Sequence, residues 1–210
     1  MSRGESFGYR RRARYRLLFN RTFHCAASGR PVFKRGRCYL GDSFLSVRVE
    51  AWRTTYAGIV PAAYLASMSI DANTAQWERI LRAGPNTASI FVAAAGGQVV
   101  GFASSIMLPE PKHGFDAELT AIYVRRDHQR AGLGRRMVGA VVAAQRKHGA
   151  TGLLTWVIAA NRAARAFYER LGAELVIEQP FQWDGLDLIE AGYGWHDLDA
   201  LCTACAAPRE

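Results

Sequence analysis

Ala117-Glu118-Leu119-Thr120-Ala121-Ile122-Tyr123-Val124-Arg125-Arg126-Asp127-His128-Gln129-Arg130-Ala131-Gly132-Leu133-Gly134-Arg135-Arg136 is a strand-like run that empties through a polar turn into a helix. Gly132 and Gly134 permit a sharp turn and let a backbone approach a ligand closely. The first turn of the helix that follows offers unpaired N–H groups and the positive end of a dipole. Gln129, Arg130, Ala131, Gly132, Leu133, Gly134 and Arg135 therefore form a seat for an anion, of a size suited to a pyrophosphate. The alternative is a glycine turn made only for packing between strand and helix.

Spacing narrows the ligand. A dinucleotide loop requires G-x-G-x-x-G with an acid about 20 residues further on; here the next glycine is Gly139, and position 154 is Leu154. A nucleoside-triphosphate loop requires Gly-Lys followed by Ser or Thr, and Gly134 is followed by Arg135-Arg136. What remains is Q-x-x-G-x-G after a strand, which resembles the acetyl-CoA pyrophosphate loop of the GNAT superfamily of N-acetyltransferases. Asn161-Arg162-Ala163-Ala164-Arg165-Ala166-Phe167-Tyr168-Glu169-Arg170-Leu171-Gly172-Ala173 resembles the closing motif of the same family, an Asn-capped helix carrying Phe-Tyr and ending in Leu-Gly.

The rest of the chain bounds these motifs. Half of the 210 residues are hydrophobic, enough for one substantial core. No apolar run reaches 18 residues and the arginine-rich N-terminus lacks a long apolar segment, so neither a membrane span nor a secretory signal is indicated and a cytoplasmic location is expected. The net charge of +9 is concentrated at one end: residues 1–41 hold 11 Lys and Arg against Glu5 alone, while the other 169 residues hold 16 bases and 17 acids. A nucleic-acid partner would thus have to use the first 41 residues, and is not expected. Cys25, Cys38, Cys202 and Cys205 contain only half of a zinc-site spacing, so no metal is expected and reduced thiols in a flexible tail fit better.

Residues 1–45 show no sustained period and read as a basic, disordered or atypical extension. Nothing before Ser46 makes a convincing first strand, with Arg37-Cys38-Tyr39-Leu40 a poor substitute. A cut near residue 42 is then expected to spare turnover. From Ser46 the spacing of Val49, Trp52 and Tyr56 predicts a helix stopped at Gly58. Pro61 starts a second short helix through Met68, and residues 72–82 a third. Their aromatics, Trp52, Tyr56 and Trp77, suit a core, with substrate contact as the alternative. The first helix and the Gly-Ile-x-Pro turn after it, together with Tyr193-Gly194-Trp195-His196-Asp197-Leu198, are similar to a common bacterial subgroup of the GNAT superfamily.

Residues 88–95 and 98–108 form a hairpin about Gly96-Gly97, with Gly101 marking a bulge or a close approach. Residues 109–114 read as a loop. The alternation slips at Thr120-Ala121, as a β-bulge would make it. A helix from Leu133 to Gly149, a buried strand from Leu153 to Ile158, the Asn161-capped helix and two strands around Asp184-Gly185 complete the fold, and nothing past Leu201 looks folded.

The resemblance covers about residues 46–200 and implies a mixed α/β fold, its mostly antiparallel sheet splayed where acetyl-CoA enters. It implies that Ile122, Tyr123 and Val124 lie along the pantetheine arm and that Asn161 contacts it while capping its helix. Tyr168 would be the general acid, its phenol reference pKa of about 10 keeping the proton at neutral pH. Glu118 would be the base that unloads the acceptor ammonium, with water as the alternative. The acceptor would be a small-molecule amine or a protein N-terminus or lysine; a homodimer is left open. Two rivals remain: a non-catalytic acyl-CoA sensor on the same scaffold, and a nucleic-acid binder driven by the basic arm.

Overall fold

The computed structural model describes residues 16–20, 38–69 and 88–207, with the backbone alone at 16–20 and 38–45. Among the described residues seven strands form one sheet: β1 (Arg16–Asn20), β2 (Ser89–Ala95), β3 (Gln98–Lys112), β4 (Phe115–Val124), β5 (Leu153–Ile158), β6 (Glu174–Trp183) and β7 (Leu186–Trp195). Their order is β1-β2-β3-β4-β5-β7-β6. Every neighbouring pair is antiparallel except β4 and β5.

Strand alternation assigns the two faces. Phe91, Ala93, Val100, Ala103, Ala117 and Leu119 point to one side, where α3 (Leu133–Lys147) covers them with Leu133, Met137, Val138, Val141 and Val142. Those helical residues repeat at three and four positions, so one stripe is apolar and buries against the sheet. Each such side chain contributes about 1.5–3 kcal/mol on burial. The helix ends at Gly149, whose φ of +92° favours glycine. The same face receives α4 (Arg162–Glu169) and α5 (Leu198–Ala206). The other face packs Val92, Phe102 and Tyr123 against α1 (Cys38–Thr55), and α2 (Ala62–Ser67) lies beyond it.

Both predicted irregularities in the hairpin region are present. Ser104 pairs with Ala121 and Ser105 with Leu119, which leaves Thr120 as the extra residue of a bulge on β4. At Gly101 a Cβ would stand 2.9 Å from the Tyr123 carbonyl oxygen, so the glycine answers to a close approach.

The structure corrects four expectations. A first strand does exist, at Arg16–Asn20, paired along its whole length with Ile90–Ala94. It is only five residues long and its backbone pairs with the β2 edge, so a local pattern has little length in which to show. The first helix begins at Cys38, so Arg37-Cys38-Tyr39-Leu40 leads into a helix and the expected boundary near residue 45 falls inside α1. Residues 109–112, expected as loop, prolong β3, which turns into β4 at His113-Gly114. The C-terminal segment is α5, capped by Asp197, whose side chain accepts from the N–H groups of Asp199 and Ala200, with Leu198, Leu201 and Cys205 buried. The expected helix over 72–82, with Trp77, lies outside the described residues.

Because β1 covers the open edge of β2, deletion of residues 1–41 removes that strand and the first turn of α1. A fall in thermal stability is expected, together with a tendency to associate through the bared edge. A truncated protein that melts with the full-length chain and stays monomeric would show β1 to be dispensable.

Candidate functional site

The site begins where the sheet parts. β4 and β5 pair only at Ala117–Leu153, Glu118–Leu154 and Leu119–Thr155. Beyond the Thr120 bulge β4 runs on to Val124 and β5 to Ile158 without pairing to each other, so the β5-facing edge of Ala121, Ile122, Tyr123 and Val124 lacks a ladder partner. Thr155 closes the apex, its hydroxyl donating to the Leu119 carbonyl at 3.0 Å.

The glycine turn stands at the open end of this split. A single 3-10 turn, Arg126–His128, leads into it, and Gln129 folds back so that its Nε2 donates to the Val124 carbonyl at 3.0 Å. Arg130 holds a φ of +59°, and Gly132 is the N-cap of α3 at a φ of +79°, with no side chain capping the helix. The N–H groups of the first helical turn therefore have no i−4 partner and no side-chain substitute. The Leu133 side chain is buried and anchors the turn from below. At Gly134 a Cβ would come within 3.2 Å of Phe167, so glycine lets α4 close on the loop.

α4 brings the phenol to the split. Asn161 caps this helix, its Oδ1 accepting from the Ala164 N–H at 3.1 Å, and both Asn161 and Tyr168 are buried. The Tyr168 ring meets Trp195 edge-on at 5.8 Å and lies 6.2 Å from Tyr193. Burial pushes the Tyr168 phenol up to about 12, the Thr155 side chain opposing the rise and Tyr123 adding to it. Tyr56, at the end of α1, is raised above the usual phenol range by burial, with Tyr123 and Tyr168 adding and a hydrogen bond with the Asn161 side chain opposing. Tyr123 is itself held, its hydroxyl accepting from Trp52 Nε1 at 2.9 Å. Three phenols thus gather at the split from α1, β4 and α4.

Glu118 stands just before the bulge, half-buried, on the face opposite Leu119. Burial raises its carboxyl above the ordinary value, Lys112 opposes and Glu190 adds to the rise. Tyr168 and Glu118 therefore flank the split from opposite faces of the sheet. The structure brings together the split, the glycine turn, Asn161 and Tyr168. It adds Thr155, which the motifs did not single out, and Tyr56, which the sequence suited to a core with substrate contact as the alternative. Thr155 sits within an apolar strand, and Tyr56 is 105 positions from Asn161 in the chain; no local pattern signals either contact.

The sequence pattern of the Acetyltransferase (GNAT) family matches residues 49–173. The chain belongs to this family. The uncharacterized N-acetyltransferase YuaI of Bacillus subtilis strain 168 is 37% identical over 158 residues, which span 75% of this chain and 88% of that protein. The PaiA N-acetyltransferase of Thermoplasma acidophilum, solved in complex with coenzyme A, superposes with a TM-score of 0.55 at 20% identity, over 72% of this chain and 91% of that one. YncA of Salmonella typhimurium, solved with acetyl-CoA, gives 0.56 at 18% identity, over 87% and 94%. As a GNAT N-acetyltransferase the protein is an enzyme of acyl transfer, and the two solved structures share its fold. No described helix is long and apolar enough to cross a membrane. Among the described residues no three His, Cys, Asp or Glu side chains are grouped to hold a metal. Cys202 and Cys205 sit as free thiols on α5, not in a flexible tail. Burial pushes the Cys205 thiol up to about 11, Cys202 adding and Arg135 opposing.

Proposed function

We propose that this GNAT enzyme transfers the acetyl group of acetyl-CoA to a primary amine by direct attack, without a covalent enzyme intermediate. The observation that carries this is the parting of β4 from β5 at the Thr120 bulge, with the Tyr168 phenol buried beside its apex. The residues present fit acetyl-CoA. A helix N-terminus with no side-chain cap suits a pyrophosphate, and an unpaired strand edge suits the amides of a pantetheine arm. Gln129, Arg130, Ala131, Gly132, Leu133, Gly134 and Arg135 would hold the pyrophosphate, Gln129 by fixing the turn and the others through N–H groups. Arg130 and Arg135 add positive charge. Ile122, Tyr123 and Val124 would lie along the arm, with Asn161 at its border.

When bound, acetyl-CoA supplies an activated acyl group on a thiolate leaving group. The amine nitrogen forms a bond to the acetyl carbon while the carbon–sulfur bond breaks, Tyr168 Oη passes its proton to the departing sulfur, and the second proton that the nitrogen sheds on becoming an amide restores the phenol. A phenol raised to about 12 holds that proton through neutral pH, where the unprotonated fraction is negligible. The acceptor arrives as an ammonium, and Glu118 takes the proton that frees its lone pair, directly or through water. An amine panel with acetyl-CoA, read by free thiol release, tests the proposal: thiol release that no amine accelerates would defeat it and favour an acyl-CoA sensor.

The raised Glu118 carboxyl carries a sign. A base must be ionised to work, so kcat/KM is expected to rise with pH through a limb lying above the ordinary carboxylate value of about 4.3. Glu118→Gln is expected to abolish that limb and to slow turnover about 10²-fold. An unchanged pH profile in the variant would transfer the role to water.

A further inference from the structure

The α1 wall carries a cation that meets no anion among the described residues. Arg48 is 5% exposed, and its guanidinium carbon sits 5.3 Å from the centroid of the Trp52 ring. Among the described residues no hydrogen bond or ion pair ends on this side chain. Glu50, the nearest acid along α1, is turned to Arg125 at 3.7 Å instead. The groups that feel the Arg48 charge are the phenols of Tyr56 and Tyr64. An aromatic face balances part of a cation's charge but accepts none of its five N–H bonds. None of the Arg48 nitrogens is sealed from solvent without a partner, so the fork stays reachable, and its planar shape suits two oxygens in one plane.

Its position gives the unfilled fork a use. The Trp52 ring that Arg48 covers lies 4.5 Å from Tyr56 and 5.7 Å from Trp183, between centroids. Tyr56 in turn adjoins Asn161 and Tyr168. Trp183, from the β6–β7 hairpin, donates through Nε1 to the Tyr64 hydroxyl at 2.8 Å and closes the wall with aromatic surface. Arg48 therefore stands one ring away from Tyr56, which borders the proposed point of transfer.

We propose that Arg48 determines acceptor specificity by binding a carboxylate, so that the acceptor is a free amino acid or a closely related amine bearing a carboxylate near its nitrogen. This rests on the amine acetylation proposed above and selects among its acceptors. A polycationic amine would meet a like charge at Arg48 and leave its donors unfilled. A protein N-terminus has its carboxylate tied up in a peptide bond. An amino acid offers the ammonium to Glu118, the carboxylate to Arg48 and its side chain to Trp52, Tyr64 and Trp183.

The test compares free aliphatic and aromatic amino acids with their carboxamides and with the corresponding decarboxylated amines, by thiol release from acetyl-CoA. Wild type is expected to favour the acids by about 100-fold or more in kcat/KM, since a site built around a charged group rejects analogues that lack it. Arg48→Met keeps the stem packed on Trp52 and removes the fork. It is expected to bring acids and amides to parity through KM for the acids, with KM for acetyl-CoA unchanged. Arg48→Lys, which retains charge without the fork, is expected to keep an intermediate preference and serves if the Met variant does not fold. Amines acetylated with no preference for the acids, or a preference that survives in Arg48→Met, would overturn the assignment and leave amine acetylation standing. A panel in which no amine is acetylated would remove both.

Discussion

Tyr168→Phe is expected to slow turnover about 10²-fold or more while acetyl-CoA affinity changes little. The substitution keeps the ring that packs edge-on against Trp195 and beside Phe167, so the α4 core contacts persist. It deletes the one atom that sits beside Thr155 at the apex of the split. Deleting a buried hydroxyl leaves Thr155 still donating to the Leu119 carbonyl, so no orphaned donor follows. The loss should therefore appear in kcat, because the proton moves only as the carbon–sulfur bond breaks. The raised phenol also predicts pH behaviour. A group whose folded value lies above its unfolded one stabilises the fold fully below about pH 10, and that contribution is lost as pH rises through about 12. The Phe variant should thus lose less stability than wild type in that alkaline window. Wild-type turnover in the variant, measured where chemistry limits the rate, would take Tyr168 out of the mechanism and make water the proton source.

Gly132→Val should greatly weaken acetyl-CoA binding. Gly132 holds a φ of +79° at the N-cap of α3, and a left-handed backbone costs an L-residue about 1–2 kcal/mol. A β-branched side chain makes that worse, since it is stiff at χ1, so the turn would relax and swing its N–H groups away from the pyrophosphate. The Cβ branch would also stand where the backbone has to approach the ligand. Most of α3 should survive, because Met137, Val138, Val141 and Val142 bury the helix on the sheet from its second turn onward. Calorimetry on a variant shown to be folded by its melting curve checks this; unchanged affinity would mean that the seat lies elsewhere.

How far these residues could be read without coordinates depended on how local their interactions are. The Thr120 bulge broke an alternation visible within ten residues, and Asn161 caps a helix that starts at the next position. Gly132 stands where the backbone itself, at a φ of +79°, demands a glycine. All three are short-range constraints, and each was legible as pattern. β1 was not, because five residues carry little periodicity and their stability comes from pairing with β2, 70 or more positions away. α5 was passed over although its Asp197 cap and its buried Leu198, Leu201 and Cys205 obey helical spacing. Its apolar stripe is short, and the surface of α3 that covers it belongs to a distant segment. There Gly139 admits Cys205, a Cβ at that glycine falling 3.0 Å from the Cys205 Cβ.

By itself the sequence determined the family, the order of most elements and which residues are candidates for an anion seat and an acid, because each rests on residues within one turn or one strand of each other. Only the tertiary structure decided which groups share the cleft. Tyr56 reaches Asn161, Trp52 bonds to Tyr123 across 71 positions, and Arg48 is buried over the Trp52 ring with no anion against it among the described residues. The reason is that burial and pairing are properties of the space between elements. A cation on a helix is ordinary in sequence, and only packing shows it held beside an aromatic ring with no anion against it among the described residues.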